Sequence, residues 1–216
     1  MTAATCLAAL VLLIDTSGSV PDHLYAAQRD GTALAFETPQ LVRAMEQDGG
    51  MAVMVADFSY RAMVRLGWTM IRNASEAGHF AAAVRALERS GRHDTTAIGR
   101  AIADAHRELA AAPCLPQFRV IDISTDGQET ISLTPAWEAR DAAAAEGVII
   151  NAIAFGPRPG EFPGIDSVNL LTDTELWLRE NVATGFIRVA VEESGFLEAF
   201  RNKLVTEVTA LQSVTE

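Results

Sequence analysis

The chain has 216 residues, 49% of them hydrophobic and 21% charged, an ordinary globular composition that needs no staple to close a core. Its formal net charge of −11 lacks the basic excess that binding to nucleic acid or anionic lipid requires. No repeat or low-complexity tract divides it, so one α/β domain over residues 1–216 is expected, monomeric and without membrane insertion.

Apolar runs of strand length alternate with longer amphipathic segments. Leu7–Ile14 is too short to span a bilayer and has no basic flank that would make it a signal-peptide core. Within it, Leu10–Ile14 reads as a strand buried on both faces. A helix is predicted from an N-cap at Ser19, with Pro21 in its first turn, to about Gln47, ahead of Asp48-Gly49-Gly50. Met51–Phe58 is a second strand. Ala62–Trp68 is a third, antiparallel to it because the turn between them is short. Phe80–Arg89 and Ile98–Ala111 read as helices and Phe118–Ser124 as a strand. Pro135–Glu146 reads as a helix ended by Gly147, and Val148–Phe155 as a strand. The stretch from Gly156 to Gly164, rich in Gly and Pro, is a loop. Leu170–Val182 is partly helical and Phe186–Val191 is a last strand. Phe196, Phe200, Leu204 and Val208 mark the apolar stripe of a C-terminal helix. The prediction is a three-layer, doubly wound α/β fold: a mostly parallel six-stranded sheet with one antiparallel edge strand and helices on both faces.

Ligands of such sheets bind at the carboxyl ends of the strands, and three motifs fall there. Asp15-x-Ser17-x-Ser19 follows the first strand. Asp94-Thr95-Thr96-Ala97-Ile98-Gly99 precedes a helix. Ser124-Thr125-Asp126-Gly127 ends a later strand. Together they offer carboxylates and hydroxyls, oxygen ligands suited to a hard cation.

The DxSxS motif, the downstream Thr96 with Gly99 three residues on, and the Thr-Asp-Gly after a later strand resemble the metal-ion-dependent adhesion site of von Willebrand factor A and integrin I domains. The resemblance implies that Ser17, Ser19 and Thr96 ligate a metal through their hydroxyls, with Asp15 and Asp126 acting mostly through bound water. Thr95 is the alternative to Thr96, which the spacing to Gly99 favours. The implied cation is Mg²⁺, with Mn²⁺ or Ca²⁺ as alternatives, and one coordination position stays open for a carboxylate from an acidic side chain of a protein partner. Gln28-Arg29-Asp30-Gly31, Arg119–Ser124 and Phe200-Arg201-Asn202-Lys203-Leu204 further resemble a bacterial branch of this superfamily whose members usually carry export signals. That implies a periplasmic or secreted protein with its signal upstream of residue 1, a cytoplasmic protein being the alternative.

Cys6 and Cys114 are open to two readings from composition, buried free thiols or a disulfide in an oxidising compartment. In the fold that the resemblance implies, both lie at the amino-terminal edge of neighbouring parallel strands, and a disulfide is expected. The histidines His23, His79, His93 and His106 show no paired metal-ligand spacing, and only His93 lies near the site. Asp122 is not assigned as a ligand. Glu129 is read as a solvated side chain, and Trp68, Trp137 and Trp177 as packing residues.

The function expected is a non-enzymatic, metal-dependent binding module. A Mg²⁺-dependent phosphatase would want an Asp two residues after Asp15, where Ser17 stands. A serine hydrolase would want Gly-x-Ser-x-Gly, which is missing. A scaffold domain with a purely structural metal is the remaining alternative.

Overall fold

The computed structural model describes residues 4–91, 93–156, 166–190 and 193–212. Their elements run β1 (Thr5–Asp15), α1 (Asp22–Phe36), α2 (Pro39–Gln47), β2 (Met51–Phe58), β3 (Ala62–Ile71), α3 (Ala74–Arg85) and α4 (Ile98–Leu109). There follow β4 (Leu115–Thr125), α5 (Ala136–Ala145), β5 (Val148–Phe155), α6 (Ser167–Asn181), β6 (Ile187–Ala190) and α7 (Glu193–Gln212). The six strands form one sheet in the order β3-β2-β1-β4-β5-β6. All pairs are parallel except β2 with β3, as the doubly wound prediction requires.

The central strands are apolar on both faces because helices cover both. Leu10, Leu12 and Ile14 of β1 pack with Leu24 and Phe36 of α1, Phe80 of α3 and Phe200 of α7. The alternate residues Ala9, Val11 and Leu13 pack with Ile102 of α4, Ala139 of α5 and Leu178 of α6. Strand periodicity of two sends neighbouring residues to opposite layers. Chain order leaves β1 toward β2 on one side and resumes at β4 on the other. The carboxyl ends of β1 and β4 therefore form a topological switch point, where doubly wound sheets open a crevice for ligand.

Several boundaries differ from expectation for local reasons. The long helix predicted from Ser19 to Gln47 is two helices, interrupted at Thr38-Pro39, because proline restricts the residue before it and lacks the N–H that a continuous helix needs. Ser19 does not cap α1. The residue before the helix is Pro21, without a side-chain cap, and Ser17–Val20 form a turn closed by Val20 N donating to Ser17 O at 3.1 Å. Helix α3 starts earlier than Phe80, after an Asn73 cap that accepts from Glu76 N, and ends at Arg85 rather than Arg89. The loop predicted over Gly156–Gly164 lies, apart from Gly156, outside the described residues, as does Val191. In α7, Phe200, Leu204 and Val208 are buried as the stripe predicts. The side chain of Phe196 lies outside the described residues.

At the amino-terminal edge, Thr5 pairs with Leu115 and Cys6 with Pro116. Cys6 and Cys114 form a disulfide with Cα atoms 6.0 Å apart. The predicted bond follows from that register, at the end of the sheet away from the Asp15 and Thr125 ends of the same strands.

Candidate metal centre

Asp15 ends β1 with its side chain fully buried. The chain turns immediately, and Ser17 N donates to Asp15 Oδ1 at 2.8 Å. This folds Ser17 back over the strand end, as an Asx-type turn does. The hydroxyls of Ser17 and Ser19 lie 3.1 Å apart, and Ser19 Oγ donates to Asp126 Oδ1 at 2.9 Å. Thr125 Oγ1 donates to Asp15 Oδ2 at 2.7 Å. The first and third predicted motifs, more than a hundred positions apart in the chain, thus meet in one network.

Thr96 reaches the same place from the loop ahead of α4. It is buried and lines, with Ser19 and Asp126, a groove of about 800 Å³ that also takes in Pro21, Leu24 and Leu170. Its backbone is held from two sides. Thr96 N donates to Thr130 Oγ1 at 2.9 Å and Thr130 N returns a bond to Thr96 O, while Ala97 N donates to Ser59 O. Thr95 does not line the groove; its hydroxyl is buried without a hydrogen-bond partner. All five predicted residues are brought to one edge of the sheet.

Burial pushes the Asp15 carboxyl above its ordinary range. Burial, and then the charge of Asp15, push Asp126 up to about 7. Two carboxyls that resist ionisation side by side are a site short of positive charge. The donor set consists of oxygens: two carboxylates and the hydroxyls of Ser17, Ser19 and Thr96. Among the described residues no three His, Cys, Asp or Glu side chains converge on a point, and hydroxyl and carboxylate oxygens are the ligand type that hard cations take. The residues present fit such an ion.

Other groups hold the site that no motif announces. Gln28 of α1, fully buried, donates from Nε2 to Asp15 O at 3.2 Å and accepts from Ser124 Oγ at 2.5 Å. Its signal in the sequence is a polar residue four positions after Leu24, inside the apolar stripe of α1. Glu129 is not a solvated side chain. It accepts from Gly99 N at 2.7 Å and from Ala136 N at 3.1 Å, tying the starts of α4 and α5 together beside the groove. Carboxylates are favoured at helix N-termini. His93 contributes its backbone: its carbonyl accepts from Gly18 N at 2.9 Å. A Cβ on Gly18 would stand 2.7 Å from Asp94 Oδ1, so any larger residue there would have to displace the Asp94 carboxylate. Trp68 and Trp177 pack against the core as expected, whereas Trp137 is half exposed.

Residues 5–212 match the family described as "Protein of unknown function (DUF1194)". The chain belongs to the DUF1194 family. No curated protein matches it. Solved structures similar to this DUF1194 chain include von Willebrand factor type A domains. Proximal thread matrix protein 1 from the mussel byssus, with a zinc-occupied MIDAS motif, is 17% identical with a TM-score of 0.69, over 97% of this chain and 49% of that one. The vWF domain of the type V pili tip protein Mfa5 from Porphyromonas gingivalis is 13% identical, TM-score 0.66, over 97% of both chains. The von Willebrand factor type A protein from Catenulispora acidiphila is 20% identical, TM-score 0.59, over 95% of this chain and 43% of that one. The DUF1194 chain spans about half the length of the mussel protein. At these identities the likeness establishes a shared von Willebrand factor A fold.

Proposed function

We propose that this DUF1194 chain is a divalent-metal-dependent binding module. Asp15, Ser17, Ser19, Thr96 and Asp126 would hold the metal, Mg²⁺ in the first instance, with Mn²⁺ or Ca²⁺ able to replace it. The observation that carries the reading is the hydrogen-bonded network from Asp15 through Ser17 and Ser19 to Asp126 at the open groove. With two carboxylates spread among three hydroxyls, a bound cation keeps much of its charge. It therefore has reason to recruit a carboxylate from an acidic side chain of a protein partner. The residues at the ends of β1 and β4 would supply ligands rather than a nucleophile paired with a base, so the reading is non-enzymatic.

The zinc-occupied MIDAS motif of the mussel protein and the pilus-tip role named for Mfa5 support this reading. The Cys6–Cys114 disulfide supports an oxidising compartment, hence a periplasmic or secreted protein. Among the described residues no helix is long and apolar enough to cross a membrane.

Isothermal titration calorimetry with Mg²⁺ and Mn²⁺ tests the first step. The wild-type chain binds one ion and Asp15→Ala does not; equal behaviour of the two overturns the site. Capture of partner proteins on the immobilised wild-type chain then tests the second step. Retention that survives chelation, or is equal for Asp15→Ala, overturns metal-dependent recognition.

A further inference from the structure

Arg89 lies beyond the end of α3, yet it grips the loop that follows β1. Its side chain is only 10% exposed. Nη1 donates to Val20 O at 2.6 Å and to Asp22 Oδ1 at 3.0 Å. Nη2 donates to Thr16 O at 3.0 Å and to Ser17 O at 2.8 Å. The ring of Tyr25 lies 5.9 Å from its Cζ. Three carbonyls from the short segment that carries Ser17 and Ser19 therefore converge on one guanidinium.

Carbonyl dipoles aimed at one point repel each other and cost free energy when desolvated unless a donor stands there. The segment has no helix or strand of its own in which to place them. A guanidinium suits the task because its donors lie in a fixed planar fork; an ammonium is a flexible point charge and cannot reproduce that geometry.

We propose that Arg89 is a positioning residue for the metal centre: its fork fixes the Thr16–Val20 backbone, so that the Ser17 and Ser19 hydroxyls stand preset toward Asp126 before a cation arrives. This rests on the metal-binding reading above. The charge of Arg89 acts in the opposite sense. A fixed positive charge close to the site opposes the entry of another cation. If Arg89 mattered only through its charge, removing it would tighten metal binding. If it positions the loop, removing it weakens metal binding. The two roles differ in sign.

The test is Mn²⁺ titration calorimetry on the wild-type chain, Arg89→Lys and Arg89→Ala, with thermal melting in chelator as the measure of fold stability. Arg89→Lys keeps the charge and loses the fork. Both variants are expected to lose about 10–100-fold in Mn²⁺ affinity, as supporting partners of metal ligands do, and millimolar methylguanidinium is expected to restore part of the affinity of Arg89→Ala. If Arg89→Ala does not fold, Arg89→Lys decides by itself, and a folded Arg89→Lys with weakened binding supports the proposal. Variants that bind Mn²⁺ as tightly as wild type, or more tightly, overturn the positioning role and leave the metal site standing. A folded Arg89→Ala that methylguanidinium does not restore also overturns it. A wild-type chain that binds no Mn²⁺ overturns the metal reading and this inference with it.

Discussion

Thr125 Oγ1 donates to Asp15 Oδ2 at 2.7 Å, joining the carboxyl ends of the two central strands β4 and β1. Asp15 receives Ser17 N on its other oxygen, so its carboxylate plane is held by one donor from each side of the switch point. Thr125→Val keeps the side-chain shape and removes the hydroxyl. The expected outcome is a loss of about 10–100-fold in Mg²⁺ or Mn²⁺ affinity, the usual effect of deleting a group that orients a metal ligand. Calorimetry checks it, and an unchanged affinity would show that Asp15 needs no support from β4.

Gly31 sets how closely α1 and α7 approach. A Cβ at this position would lie 2.6 Å from Phe200 Cβ and 3.3 Å from Leu197 O, too near for either helix to remain in place. Gly31→Ala is expected to destabilise by about 1–3 kcal/mol through overpacking, despite alanine's better helix propensity. Urea unfolding measures it; a gain in stability would mean that the helices separate freely.

The Cys6–Cys114 bond closes a span of 108 residues. In the chain-entropy account, removing a bond across a loop this long costs about 4–5 kcal/mol. Cys6→Ser/Cys114→Ser should therefore unfold at markedly lower urea concentration than the oxidised chain, with metal affinity retained because the bond lies at the opposite edge of the sheet. Non-reducing mass spectrometry that finds two free thiols in protein from its native compartment would contradict the bond itself.

Between α7 and β4 lies a buried ionic cluster. Lys203 pairs with Asp122, and its Nζ is 2.9 Å from Glu207 Oε1. All three residues are buried. Burial draws the Lys203 pKa down, but Asp122 and Glu207 together hold it above its ordinary value. One cation faces two carboxyls, and burial, reinforced by the charge of Asp122, pushes Glu207 up to about 8 against the pull of Lys203. From about pH 4.5 to pH 8 the native chain keeps a proton on Glu207 that the unfolded chain has released. The native state binds more protons across this window, so the contribution of Glu207 to stability falls as pH rises through it. Glu207→Gln removes that titration. Urea midpoints at pH 5 and pH 8 should differ less for the variant than for the wild type; equal differences would count against a protonated Glu207.

Leu10–Ile14 was readable as a buried strand and Val148–Phe155 as a strand, and with the intervening helices they led to the doubly wound sheet, because local periodicity is a property of neighbouring residues. The five candidate ligands were readable for a related reason. Each sits within a short motif directly after a strand or before a helix, and those motifs together carry the resemblance to a metal-ion-dependent adhesion site that singled them out. Proline's effect on the chain around Thr38 was equally local, but the amphipathic pattern on either side of it concealed the break between α1 and α2. Only the tertiary structure brought Arg89 to the carbonyls of Thr16, Ser17 and Val20, Gln28 between Asp15 and Ser124, Glu129 to the starts of α4 and α5, and Lys203 to Asp122. Most of these contacts join elements far apart in the chain, and no periodicity or spacing encodes them. They arise where the packing of two layers of helices on one sheet leaves a buried carbonyl, N–H or carboxylate to be satisfied. The proposed metal site is thus written in local motifs, and the contacts that brace it are ones that folding alone assembles.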